Sequence, residues 1–258
     1  LELDPSTNKL WFSTTNNFKG TGGGTIFASN SGVTGFIKKY TIEGARRTEL
    51  EIASNGTIYA LAAENPVTII KSTDRFNSAP TVVTLPSDAD GNITADDFTR
   101  GQSFYDLLIE SDPNNPNAIF AGGIDLFKST TGAENGSGAN PWNQLSHWYA
   151  GFGQAYAHAD QHGVAFGNSD SSKKVFGNDG GVYFSKTQSD GSELISSRVK
   201  NYVTSQFYTV GVAPSEMFKD STEQVSGNDL STRLQSTLTI NGITDVFLAG
   251  AQDNGTQL

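Results

Sequence analysis

The chain has 258 residues, 36% hydrophobic with 28 glycines, which leaves room for one large domain or two small ones and suits a loop-rich all-β protein. Its net charge is -10 and its 17 Lys and Arg residues are scattered, which argues against a phosphate-tracking surface and a nucleic-acid partner. Cysteine is absent, excluding disulfides, thiol catalysis and cysteine-ligated zinc, and no apolar run approaches the ~18 residues of a membrane span.

Taken in order, the chain repeats one cassette of short strands in five approximate units, 1–45, 46–102, 103–155, 156–203 and 204–258. A first strand ends in a turn with proline at Leu1–Pro5, Leu107–Pro113 and Val210–Pro214, where a missing N–H does no harm. A second strand follows at 10–14, 57–62, 118–123, 174–179 and 245–254. A third closes on a serine, Ser29, Ser72, Ser129 or Ser185, so the serines recur about every 50 residues, the period of propeller blades. The expected architecture is therefore a β-propeller of four-stranded blades, about four of them with part of a fifth. An incomplete ring would leave open strand edges, so the remaining blades are expected from a longer parent chain or from another chain.

In the second unit an insert, Ser87 to Phe98, lengthens the cassette. Asp88, Asp90, Asn92 and Asp97 offer the oxygen-rich spacing of a shortened calcium loop, against the plainer alternative of a solvated acidic loop. In the third unit, 141–156 carries Trp142, Trp148, Tyr149, Phe152 and Tyr156. Trp142 is placed to pack between blades, while Trp148, Tyr149 and Phe152 offer flat faces to a ligand.

The fourth unit opens on Tyr156 to Phe166, expected as a strand with His158, Asp160, His162 and Val164 on one face. Positions two apart lie ~7 Å apart along a strand and can share an ion, whereas the two histidines, ~13 Å apart, cannot, so a metal would need ligands from another blade. Otherwise Asp160 accepts a hydrogen bond from one histidine in a polar lining. Asp179 and Asp253 occupy matching turns, Asn-Asp-Gly-Gly and Gln-Asp-Asn-Gly, where Asp and Asn before Gly are ordinary turn chemistry.

Several of these segments resemble a known group: Asp112-Pro113-Asn114-Asn115-Pro116-Asn117, Ile119-Phe120-Ala121-Gly122, Leu126-Phe127-Lys128-Ser129-Thr130 with the later Trp142, then 158–166, 178–185 and 251–256. They resemble the Asp-box (bacterial neuraminidase) repeats of sialidase-like and sortilin-like propellers, most of all the secreted bacterial members labelled glycosyl hydrolases. The resemblance implies a propeller with its first strands on the channel, boxes that brace turns between outer strands, and a secreted or cell-surface location. The boxes depart from Ser-x-Asp-x-Gly-x-x-Trp: Ser72-Thr73-Asp74 lacks the Gly, and Ser129-Thr130-Thr131-Gly132 and Ser29-Asn30-Ser31-Gly32 lack the Asp.

Recognition of a glycan or protein ligand is the function expected, with His158, His162, Trp148, Tyr149 and Phe152 as binding residues and no cofactor beyond possible calcium. The alternative enzyme is a glycoside hydrolase with channel carboxylates, Asp160, Asp179 and Asp253, joined by Asp106 or Glu110, as acid and base roughly 5–10 Å apart. A sialidase arginine triad cannot be assigned. A third possibility is a rigid structural or adhesive spacer in a large surface protein.

Overall fold

A computed structural model describes residues 1–64, 66–88, 97–136 and 138–198, together with the backbone of four later strands. Every regular element among the described residues is a strand, and none of them is a helix that could cross a membrane. The chain divides into two compact units, Leu1–Lys200 and Asn201–Leu258.

The first unit holds four sheets, each a four-stranded antiparallel meander in chain order. They are β1 (Glu2–Asp4) to β4 (Thr34–Thr41) with β2 (Lys9–Ser13) and β3 (Thr25–Ser31) between, then β5 (Thr48–Ile52), β6 (Ile58–Ala62), β7 (Thr68–Ser72) and β8 (Thr81–Val82). The third is β9 (Leu108–Asp112), β10 (Asn115–Gly122), β11 (Leu126–Ser129) and β12 (Trp142–Gln144). After the short parallel pair β13 (Ser146–His147) and β14 (Ala155–Tyr156) comes the fourth, β15 (Gln161–Gly167), β16 (Asp170–Asn178), β17 (Gly181–Thr187) and β18 (Glu193–Ser197). The first strands touch in succession, β1 to β5, β5 to β9 and β9 to β15, so each sheet turns its opening strand toward a common axis. Four-stranded meanders stacked about their first strands are the blades of a β-propeller.

Strand alternation fills the spaces between blades. In β6, Ile58, Ala60 and Ala62 join Trp11, Ile26 and Ala28 of the first blade, while Tyr59 and Leu61 join Ile119, Phe127 and Trp142 of the third. Leu108, Phe120 and Leu126 then face Phe176, Tyr183 and Ile195 of the fourth. Both faces of a middle blade are buried, which is why β6 reads as an unbroken apolar run. Trp142 sits between blades as its position in the repeat predicts, its indole donating to the Thr84 carbonyl at 2.7 Å.

The serine that closes each third strand has a defined task in two blades. Ser72 Oγ accepts the Phe76 N–H at 2.7 Å and Ser129 Oγ the Ala133 N–H at 3.0 Å. The residue carrying that N–H and the one before it are left-handed in both turns, Arg75 and Phe76 at φ 62° and 58°, Gly132 and Ala133 at 66° and 60°. Two sequences with little in common thus build one turn. In the second blade Asp74 adds acceptors for the N–H groups of Asn77 and Ser78, a task for which the third blade has no carboxylate.

Lysines bridge neighbouring blades. Lys71 lies opposite Tyr59 on the adjoining strand and Lys128 opposite Phe120, each ammonium over the ring, 5.6 and 5.4 Å from its centroid. An acid from the next blade meets each: Glu134 at 2.6 Å from Lys71 and Glu193 at 2.7 Å from Lys128. A third bridge joins the first two blades, where Arg75 donates Nε at 2.6 Å to the buried Asp4.

The second unit, described by itself, is a sheet around β21 (Ile243–Ala251), paired with β19 (Phe207–Ala213), β20 (Thr237–Ile240) and β22 (Gly255–Gln257), all antiparallel.

One expectation needs correction. The strand predicted from Tyr156 begins only at Gln161, and Asp160 is left-handed, φ 64°. The cause is the buried Gln161, whose backbone N–H bonds the Gly123 carbonyl at 2.8 Å while its side-chain amide reaches back to the His158 carbonyl at 2.6 Å. That bond folds 158–161 into a turn, so His158, Asp160 and His162 do not share a strand face.

Candidate functional site

In a meander the second-to-third turns and the connections between blades fall at one end of the ring. Three connections meet there in the first unit: the segment ending at Arg47, the segment 97–107, and the aromatic loop 145–160. The turn Asn178–Gly181 joins them.

At the centre of this end, His162 on β15 reaches Asp179 in the turn, Nε2 to Oδ1 2.8 Å. The Tyr105 hydroxyl, from the connection ahead of β9, donates to the same carboxylate at 2.9 Å, and its ring stands edge-on to the His162 imidazole with centroids 4.9 Å apart. Three segments are thereby pinned on one carboxylate. Gly180 allows the close approach, since a Cβ there would fall 2.3 Å from that of His158. Arg47 holds the Tyr105 carbonyl at 2.7 Å and pairs with Glu49.

Beneath this cluster lies Asp106, with no exposed surface and neither oxygen hydrogen-bonded among the described residues. Burial, then the nearby charge of Asp160, pushes its carboxyl up to about 8, so it is held protonated at neutral pH. Further along the axis, Glu51 of β5 and Glu110 of β9 lie on adjoining inner strands, close enough for their charges to act on each other. Glu51 accepts the Ser111 N–H at 3.1 Å and the Ser111 hydroxyl. Burial, then the Glu51 and Glu2 charges, raises Glu110, and burial likewise raises Glu51. Burial and then Glu51 push Glu2 of β1 up to about 7.

Outward from the centre the end becomes aromatic. The Arg100 guanidinium, fixed by Asp88 at 2.8 Å, lies over the Trp148 ring at 5.2 Å, and Trp148 meets Tyr149 with centroids 3.6 Å apart. Phe152 stacks on the buried His147 at 4.1 Å and meets the Tyr149 ring at 6.4 Å, yet is 55% exposed; Tyr149 is 50% and Phe104 69% exposed.

The residues singled out from sequence divide accordingly. His162 and Asp179 meet; Trp148, Tyr149 and Phe152 form the aromatic margin; His158 turns its ring to the Ala159 carbonyl. Asp253 lies outside the described residues, as do Asp90 and Asn92 of the calcium loop. Of that loop's described ends, Asp88 is engaged by Arg100, and Asp97 accepts the Thr99 hydroxyl at 2.9 Å. Among the described residues no three His, Asp or Glu side chains converge as metal ligands. Sequence reasoning missed Tyr105, Arg47, Arg100 and Glu51. Tyr105-Asp106 directly precedes an inner strand, as Asp160 does, and that shared place ahead of the first strand was the available signal.

No protein-family model matches the chain, and no curated protein matches it. Among solved structures, a GH74 enzyme from Niastella koreensis is similar at 19% identity and TM-score 0.47, over 77% of this chain and 29% of that one. YCF48 bound to D1 peptide is similar at 11% and 0.42, over 78% and 52%, and YCF48 from Cyanidioschyzon merolae at 13% and 0.43, over 81% and 57%. The chain thus spans less than two thirds of the length of each. All three are distant likenesses.

Proposed function

We propose that this β-propeller is a recognition module, secreted or displayed at a cell surface, that binds a protein partner on the end carrying Tyr105, His162 and the 145–160 loop. One observation carries this: exposed Phe104, Tyr149 and Phe152 gather around Arg100, Trp148 and Tyr105, the residue types that dominate the energetics of protein interfaces. Their backbone is braced from below, by β13 and β14 and by the Tyr105–Asp179–His162 cluster, so little ordering entropy remains to be lost on binding.

Glycoside hydrolysis fits less well. It needs two carboxyl groups about 5–10 Å apart flanking an open cleft. Here Glu51 is buried and taken up by Ser111, Asp106 has no exposed surface, and Asp179 is held by Tyr105 and His162.

The test is a Tyr149→Ala/Phe152→Ala double variant. It is expected to keep the unfolding midpoint and to lose partner affinity by tenfold or more, about 1.4 kcal/mol. Unchanged affinity would remove the end face from recognition. Release of reducing sugar from any polysaccharide, abolished by Glu110→Gln, would favour the hydrolase instead.

A further inference from the structure

The Lys128–Glu193 bridge borders open space. A cavity of about 540 Å³ lies between the third and fourth blades, bordered on one side by Leu145 and residues 153–155 of the aromatic loop, and Lys128, Thr130, Asn143, Gln144, Gln154 and Glu193 line it. A smaller one, about 280 Å³, shares Lys128, Thr130 and Gly191 with it and adds the hydroxyl-bearing Ser171, Ser172 and Thr187. Sharing those residues, the two adjoin as a recess of mixed polar and apolar lining, whose larger part has the size of a small-molecule site.

Charge excludes ionic occupants. Glu193 pairs with Lys128 at 2.7 Å and with Lys174 at 3.0 Å while Asp112 borders the smaller part, so two ammonium groups are balanced by two carboxylates and an entering ion of either sign meets its like. What the walls offer instead is hydrogen bonding of both senses. Side-chain amides come from Asn143, Gln144 and Gln154, and hydroxyls from Thr130 and Ser192. Leu145 and Ala155 supply an apolar strip. One acceptor is already waiting: Gln154 Oε1 is buried with no hydrogen-bond partner among the described residues. A buried acceptor of this kind costs stability until an O–H or N–H reaches it. Lys128 has three N–H donors, of which Glu193 takes one. An orphan acceptor beside a donor with spare capacity, in a neutral recess with a small apolar strip, fits a hydroxyl that both donates and accepts, next to a ring's C–H face.

We propose that this recess between blades binds a neutral sugar of one or two rings, with Gln154 and Asn143 among its hydrogen-bonding residues. The site shares the 145–160 loop with the protein-binding end, but none of that end's exposed aromatic side chains lines it.

Saturation-transfer NMR on the full chain tests the proposal with a panel of neutral disaccharides, cellobiose, maltose, lactose and xylobiose. Transfer to the ring protons of at least one is expected. It should weaken about tenfold or more in Asn143→Ala/Gln154→Ala, whose side chains lie at the recess wall, and persist in Phe104→Ala, an exposed end-face position outside the 145–160 loop. No transfer from any of the four with the unmodified protein would overturn the proposal, and that arm needs no variant to fold. Transfer that survives the Asn143/Gln154 double variant but is lost with the end-face variant would overturn it equally, by moving the sugar to the other site.

Discussion

Glu193 takes the ammonium of Lys128 at 2.7 Å across a blade boundary, and within its own blade it also accepts from Lys174 at 3.0 Å, Ser185 at 2.6 Å and Thr187 at 2.7 Å. Burial alone would raise this carboxyl, yet the hydrogen bonds from Lys128, Ser185 and Thr187 and the Lys174 charge hold it below its ordinary range. A single side chain therefore satisfies two buried lysines from two blades.

Glu193→Gln keeps the shape and removes the charge, leaving Lys128 and Lys174 buried without a paired anion and with only the more remote charge of Asp112 near Lys174. A loss of about 3–5 kcal/mol in urea unfolding is expected. Glu134→Gln, at the matching boundary one blade earlier, should cost under about 1 kcal/mol, because Glu134 itself stands in solvent, 67% exposed. Equal effects would contradict the difference in burial.

The Asp4–Arg75 bridge predicts an acid limb. Burial opposes ionisation of Asp4, but Arg75, Thr7 and Ser6 outweigh it and hold the carboxyl well below the usual range. Its contribution is present above the unfolded value, ~3.9, and is lost as pH falls toward the folded one. Arg75→Met should flatten stability against pH between about 4 and 2, and should destabilise the protein at pH 7. An unchanged acid limb would show that the bridge contributes nothing.

The axial acids predict the opposite slope. Glu110, Glu51 and Glu2 are all raised in the folded state, Glu2 to about 7, so above ~4.5 the unfolded chain releases protons that the folded chain retains. Stability should fall as pH rises from about 4.5 through 8. Glu110→Gln should remove much of that fall and raise stability at pH 8 by on the order of 1–2 kcal/mol. A variant less stable at pH 8 than the unmodified protein would show that the contacts of the Glu110 carboxyl outweigh the cost of its charge.

Much of the architecture could be read from period and alternation, because those follow from how a pleated strand is buried. The recurring serines marked third strands, and the Trp142 position marked a space between blades. The turn at 158–161 could not be read that way. Its residues alternate as a strand would, and only the buried amide of Gln161, bonding His158 behind it and Gly123 beside it, bends the chain. Tyr105 was equally hidden, since its partners His162 and Asp179 lie in the next blade and no local pattern links them. The Ser72 and Ser129 turns show the converse: one backbone conformation carried by sequences that share little beyond the serine.

Recognition at the aromatic end is tested most directly by placing a photoactivatable phenylalanine analogue at position 152, and in a separate protein at Asn114, in the first-to-second-strand turn of the third blade at the opposite end of the ring. Each protein is returned to the cells that make it and irradiated. A discrete protein adduct at position 152, absent at 114 and absent when Tyr149 is replaced by Ala, is the result predicted. Adducts of equal yield at both positions, or none at 152, would contradict it.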